Sequence, residues 1–82
     1  MNKYNGSVKI TLRKGILDVQ GKTVEHALNS IELYMISNVR IGKYVELTVE
    51  ADTPEIAHSI VTEACKKLIA NPIIEDFEII II

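Results

Sequence analysis

The chain has 82 residues, 48% of them hydrophobic and 24% charged, with four Gly and two Pro. That length suits a single domain over residues 1–82 and excludes a multidomain reading, while the composition excludes intrinsic disorder. Nine Lys and Arg against eleven Asp and Glu leave a net charge of −2, no footprint for a phosphate backbone, so no nucleic-acid partner is expected.

The first element is a strand. Val8, Ile10 and Leu12 alternate with Lys9, Thr11 and Arg13, the period of a strand half buried against a core. Asp18 is placed to cap a helix, and Val24, Ala27, Leu28, Ile31 and Met35 recur at helical spacing, which predicts a helix over residues 19–34 with that stripe buried. Lys22, Glu25, His26 and Asn29 occupy its far face. After Ser37 and Asn38 the period returns to two: Val39, Ile41, Val45, Leu47 and Val49 share one parity. Two readings fit this segment, a hairpin turning at Gly42-Lys43 or one long strand bent at Gly42.

Thr53-Pro54-Glu55 is a helix start with a hydroxyl cap, proline at the first position and a carboxylate at the positive end of the dipole. Ile56, Ala57, Ile60, Val61, Ala64 and Leu68 form the stripe expected to be buried, Cys65 lies at its edge, and Asn71-Pro72 stops the helix. A last strand runs from Ile73 to Ile82, with Phe77, Ile79 and Ile81 on one face and Asp76 and Glu78 on the other, until Ile80 and Ile82 make that second face apolar too. The order β-α-β(β)-α-β is that of an α+β sandwich on the ferredoxin-like plan, two helices on one face of an antiparallel or mixed sheet. Four of the fourteen isoleucines end the chain, so part of the core is expected to lie between subunits of an oligomer.

No catalytic constellation emerges. His26 and His58 have no metal-ligating residue three or four positions on, and the single Cys65 rules out an internal disulfide and a CxxC pair, which fits a reducing compartment. Glu75 and Asp76 point to opposite faces of a strand, so they do not form an acid–base pair. Arg13-Lys14, Arg40 and Lys43 are small basic groups without a glycine-rich phosphate loop. The N-terminus is polar and no apolar run approaches a membrane span, so a cytoplasmic location with no membrane partner is expected. The residues favour an interaction subunit over a free-standing enzyme.

Three segments carry a family resemblance: Leu17-Asp18-Val19-Gln20-Gly21-Lys22, Val39-Arg40-Ile41-Gly42-Lys43-Tyr44, and Ala70-Asn71-Pro72-Ile73-Ile74-Glu75-Asp76-Phe77. In this order and at these separations they resemble PurS, the small subunit of phosphoribosylformylglycinamidine (FGAM) synthase. The resemblance implies a non-catalytic assembly subunit in de novo purine synthesis. A PurL-like synthetase would activate formylglycinamide ribonucleotide with ATP and magnesium, a PurQ-like glutaminase would release ammonia, and this chain would bring them together as a homodimer or homotetramer. No cofactor or metal is implied for this chain. By resemblance, Arg40, Gly42, Lys43, Asn71 and Pro72 are the positions expected at assembly or partner contacts, joined by the apolar Ile80 and Ile82.

Two departures stand out. Val19 replaces the proline of the family's usual D-P-Q-G, and the glycine common near the end of the first helix is absent from Ser30 to Ile36, which leaves open how that helix ends. The alternative function is a small ferredoxin-like regulatory domain that binds a metabolite at a dimer interface.

Overall fold

A computed structural model describes the whole chain, residues 1–82. Its elements are β1 (Asn2–Leu12), α1 (Val19–Ser30), β2 (Lys43–Ala51), α2 (Pro54–Ala64), a π-helical turn (Cys65–Ile69) and β3 (Glu75–Ile81). The three strands form one antiparallel sheet in the order β2-β1-β3. The α+β class and the antiparallel sheet are as expected.

Alternation fixes which way the sheet faces. Val8 lies opposite Val45 on one side and Ile79 on the other, and Ile10 lies opposite Phe77, so all of these point to the face covered by α2. The core consists of Val8, Ile10, Val49, Ala51, Ala57, Val61, Cys65 and Ala70, with Leu47, Phe77, Ile79 and Ile81 packed around it. Helix α2 begins as its sequence requires: Thr53 Oγ1 accepts from the Ile56 amide at 3.2 Å, with Pro54 in the first turn.

The structure corrects several boundaries. Strand β1 starts at Asn2 rather than Val8, because its polar first residues pair with β2 as far as Asn2 opposite Ala51. The β2 ladder begins at Lys43, opposite Ile10; no hairpin forms at Gly42-Lys43, since the only neighbour of β2 is β1. The stripe expected on α2 is rotated: Ala57, Val61 and Cys65 face the core, whereas Ile56, Ile60 and Leu68 are exposed. The π-helical turn is closed by the Ala70 amide on the Cys65 carbonyl at 3.0 Å, an i→i+5 bond that puts more residues in the turn and so breaks the α-helical spacing, and Leu68 is exposed.

Helix α1 departs most. It ends at Ser30, and of its residues only Gly21 is buried; Ile31 and Met35, the far end of the expected buried stripe, are 64% and 74% exposed. The termination has a clear cause. Glu32 takes a left-handed conformation (φ 68°), which lets the Glu32 amide reach the Asn29 carbonyl at 3.1 Å and the Leu33 amide reach the Leu28 carbonyl at 2.9 Å. This is the Schellman pattern with glutamate where glycine is usual.

The resulting body is elongated, 52 × 24 × 14 Å, with a radius of gyration of 16.4 Å. A compact chain of this length would have about 12 Å by the usual size scaling. One helix over one small sheet accounts for the core, and α1 lies outside it.

Candidate functional site

The residues singled out in the sequence gather mainly at one end of the sheet, where β1 ends, the 38–42 segment passes and the 70–75 turn leads into β3. Arg40 holds the loop after β1: its guanidinium donates to the carbonyls of Leu12 at 3.2 Å, Arg13 at 3.1 Å and Ile16 at 3.1 Å. A planar fork with five donors suits such a cluster of carbonyls. Arg13 in turn donates to the Pro72 carbonyl at 2.6 Å and pairs with Asp76 at 3.2 Å, which ties β1 to the turn before β3.

That turn organises itself around Asn71. Its side-chain oxygen accepts from the Ile73 amide at 3.1 Å, and its carbonyl accepts from Glu75 at 2.7 Å and from Ile74 at 3.2 Å. The Glu75 carboxylate accepts from the Asn71 amide at 2.7 Å and pairs with Lys43 at 3.5 Å, linking β2 to the same turn. Gly42 is there for space: a Cβ would lie 2.5 Å from the Ile10 carbonyl oxygen. Arg40, Gly42, Lys43, Asn71 and Pro72 are thus all engaged within this end of the chain. Ile80 and Ile82 lie towards the other end of the sheet, Ile80 opposite Ser7, and are 44% and 84% exposed.

The centre of the arrangement is a residue read from sequence only as a cap. Asp18 is 5% exposed, and its two carboxylate oxygens accept from two amides, Gly21 at 2.8 Å and Ile41 at 2.6 Å. The Gly21 and Ile41 amides, with a smaller contribution from Arg40, hold its carboxyl below the usual carboxylate range against the opposing effect of burial. Beside it, Glu25 Oε1 accepts from the Val39 amide at 3.1 Å. The 39–41 segment therefore satisfies two amides on carboxylates of the α1 region, which is why its period-two pattern does not appear as a ladder. Gly21 makes room for this: a Cβ there would lie 2.3 Å from the Val39 carbonyl oxygen.

Asp18, Gly21, Glu25 and Arg13 were not identified as site residues from sequence. A glycine in the first turn of a helix, three residues after an aspartate cap, was the available sign, because glycine inside a helix signals close backbone approach. An open cleft of about 320 Å³ lies here, lined in part by Gly15, Asp18, Lys22, Glu25 and Arg40. Three of its charged groups, Asp18, Glu25 and Arg40, are already bonded to backbone. Cys65 is fully buried, and burial pushes its thiol up. His26 and His58 are exposed.

Fold and site together define a small antiparallel α+β scaffold, rigidified at one end by side chain-to-backbone ties and carrying much apolar surface outside its core. The sequence matches the PurS family, described as phosphoribosylformylglycinamidine (FGAM) synthase, over residues 5–82. It is 43% identical over 74 residues to the synthase subunit PurS of Bacillus subtilis, covering 90% of this chain and 87% of that one. To the PurS subunit of Methanocaldococcus jannaschii it is 38% identical over 76 residues, covering 93% and 92%. The solved B. subtilis PurS superposes with a TM-score of 0.87 at 41% identity, over 96% of this chain and 98% of that one. A chain from the structure of PurLQS of Thermotoga maritima superposes with a TM-score of 0.90 at 30% identity, over the full length of both. The chain belongs to the PurS family.

Proposed function

We propose that this chain is the assembly subunit of an FGAM synthase, bringing a PurL-type synthetase and a PurQ-type glutaminase together so that ammonia passes from one to the other. The observation that carries this reading is the full-length likeness to a chain in the solved PurLQS structure. In this reading ATP and magnesium act on the synthetase, the chain itself carries no catalytic group, and the assembly is cytoplasmic. No helix is long and apolar enough to cross a membrane.

The exposed apolar surface supports self-association as well as partner contact. Leu17, Val19, Ile31, Tyr34 and Met35 are each more than 60% exposed around α1, and Ile82 is 84% exposed at the end of β3. Ile80 and Ile82 are the interface positions with free side chains, whereas Arg40, Gly42, Lys43, Asn71 and Pro72 serve the interface by fixing the loops that present it. Mixing purified chain with the synthetase and glutaminase tests the reading. Glutamine-dependent synthesis is expected only when all three are present, while synthesis from added ammonia proceeds without this chain. A full glutamine-dependent rate in its absence would overturn the proposal.

A further inference from the structure

Thr53 and Asp18 both cap helices, and the difference between them is informative. Thr53 is exposed and makes one bond, to the amide of its own first turn. Asp18 is buried and makes two, one local to Gly21 and one to Ile41, which is 23 residues away. Capping alone needs neither the burial nor the second bond. The second bond acts on a helix that has almost nothing else to orient it, since Gly21 is the only buried residue of α1. Its other tie to the 39–41 segment is also a carboxylate on an amide, from Glu25 to Val39. Gly21 has no room for a Cβ against the Val39 carbonyl, so the close approach is a built feature of the helix start.

We propose that Asp18 is a positioning residue for assembly of the synthase: its bond to the Ile41 amide fixes the direction in which α1 leaves the sheet, and assembly depends on that direction. The proposal rests on the assembly reading above. It assigns Asp18 a role that a cap does not have, and it makes the 39–41 segment the surface against which the start of α1 is set.

Asp18→Asn separates the two roles. Asparagine caps a helix about as well as aspartate, so the bond to Gly21 survives. Its other polar atom is an NH2 donor, which faces the Ile41 amide donor and cannot accept from it. On the isolated chain, hydrogen exchange at Ile41 is expected to speed up about tenfold or more, while Gly21 and the β1–β3 ladder keep their protection. With the partner subunits, the concentration of chain giving half-maximal glutamine-dependent synthesis is expected to rise by a similar factor, about tenfold, at an unchanged maximal rate. A residue that only caps would leave both readouts at the wild-type values, and that result overturns the proposal. Faster exchange with unchanged half-saturation overturns it too. Asp18→Ser keeps a capping hydroxyl for Gly21 but has no second oxygen for the Ile41 amide, so it provides an independent variant should Asp18→Asn fold poorly: the same shift in half-saturation is expected, and none would overturn the proposal. Failure of the wild-type chain to stimulate synthesis would instead sink the assembly reading, and the exchange measurement, made on the chain alone, reports on Asp18 separately.

Discussion

Gly21→Ala tests the close approach between α1 and the 39–41 segment. In an unobstructed helix this change stabilises by about 1 kcal/mol, since alanine has the best helix propensity and glycine nearly the worst. The surroundings of Gly21 reverse that sign. A Cβ would sit 2.3 Å from the Val39 carbonyl oxygen and 2.9 Å from Asp18 Oδ2. The first is backbone and the second belongs to a carboxylate bonded through both oxygens, so neither is the free end of a flexible side chain. Relieving the overlap moves the segment and costs about 1–3 kcal/mol. Leaving the Ile41 amide without its acceptor adds about 1–3 kcal/mol. After the propensity gain is subtracted, a net loss of about 1–5 kcal/mol remains, which for a domain of this size lowers Tm by about 4–40 °C. Thermal and urea unfolding followed by circular dichroism, at matched protein concentration because the chain self-associates in our reading, provides the measurement. A Gly21→Ala protein as stable as wild type, or more so, would refute the reasoning.

The other end of α1 predicts the opposite. Glu32 holds a left-handed conformation that glycine adopts freely, so Glu32→Gly is expected to raise stability by about 1 kcal/mol in the same unfolding assay. Arg40→Lys keeps the charge but loses the fork that reaches three carbonyls, and a urea midpoint lowered by the equivalent of about 1 kcal/mol is expected. Asp18 has a folded-state pKa below its unfolded value, so its contribution is complete above about pH 4–5 and is lost as pH falls through the lower folded value. An acid titration of stability should therefore be shallower in Asp18→Asn than in wild type. Cys65 is fully buried with its thiol pushed up, so a thiol reagent at neutral pH should label the native chain slowly and the urea-unfolded chain at the rate of a free cysteine.

The parts of this fold that could be read in the sequence are those where local chemistry and tertiary packing agree. Val8, Ile10 and Leu12 alternate because one face of β1 meets the core, and Thr53-Pro54-Glu55 starts α2 whatever surrounds it. Apart from Tyr4, the first six residues of β1 are polar or small, and pairing with β2 makes them a strand that a single aromatic does not announce. Helix α1 departs from its sequence pattern for a different reason. Its apolar spacing is real, but spacing reports only that a stripe exists and says nothing of whether the same chain covers it. The site divides in the same way. Arg40, Gly42, Lys43, Asn71 and Pro72 drew notice through family resemblance, and their bonds are local enough to rationalise. Asp18 to Ile41 and Glu25 to Val39 join segments that only the folded topology brings together, and an aspartate before a helix already has an adequate explanation as a cap.

The choice of polar ties at this end of the sheet has a physical rationale. An apolar seal between α1 and the sheet would hold the helix more firmly, because each fully buried aliphatic side chain contributes about 1.5–3 kcal/mol. It would also consume the side chains that now remain exposed on the helix, Val19 and Val24 among them. Two carboxylates bonded to the amides of Val39 and Ile41 orient the helix while leaving its apolar surface uncommitted. Hydrogen bonds suit this task because they are directional, whereas apolar contact is proportional to area and tolerates sliding. A chain with eight residues in its core and an elongated outline has little stability in reserve, so it keeps α1 in place by geometry rather than by burial. In the assembly reading, the apolar surface left free is then available to neighbouring subunits, where its burial would stabilise the assembly and the fold of this chain together.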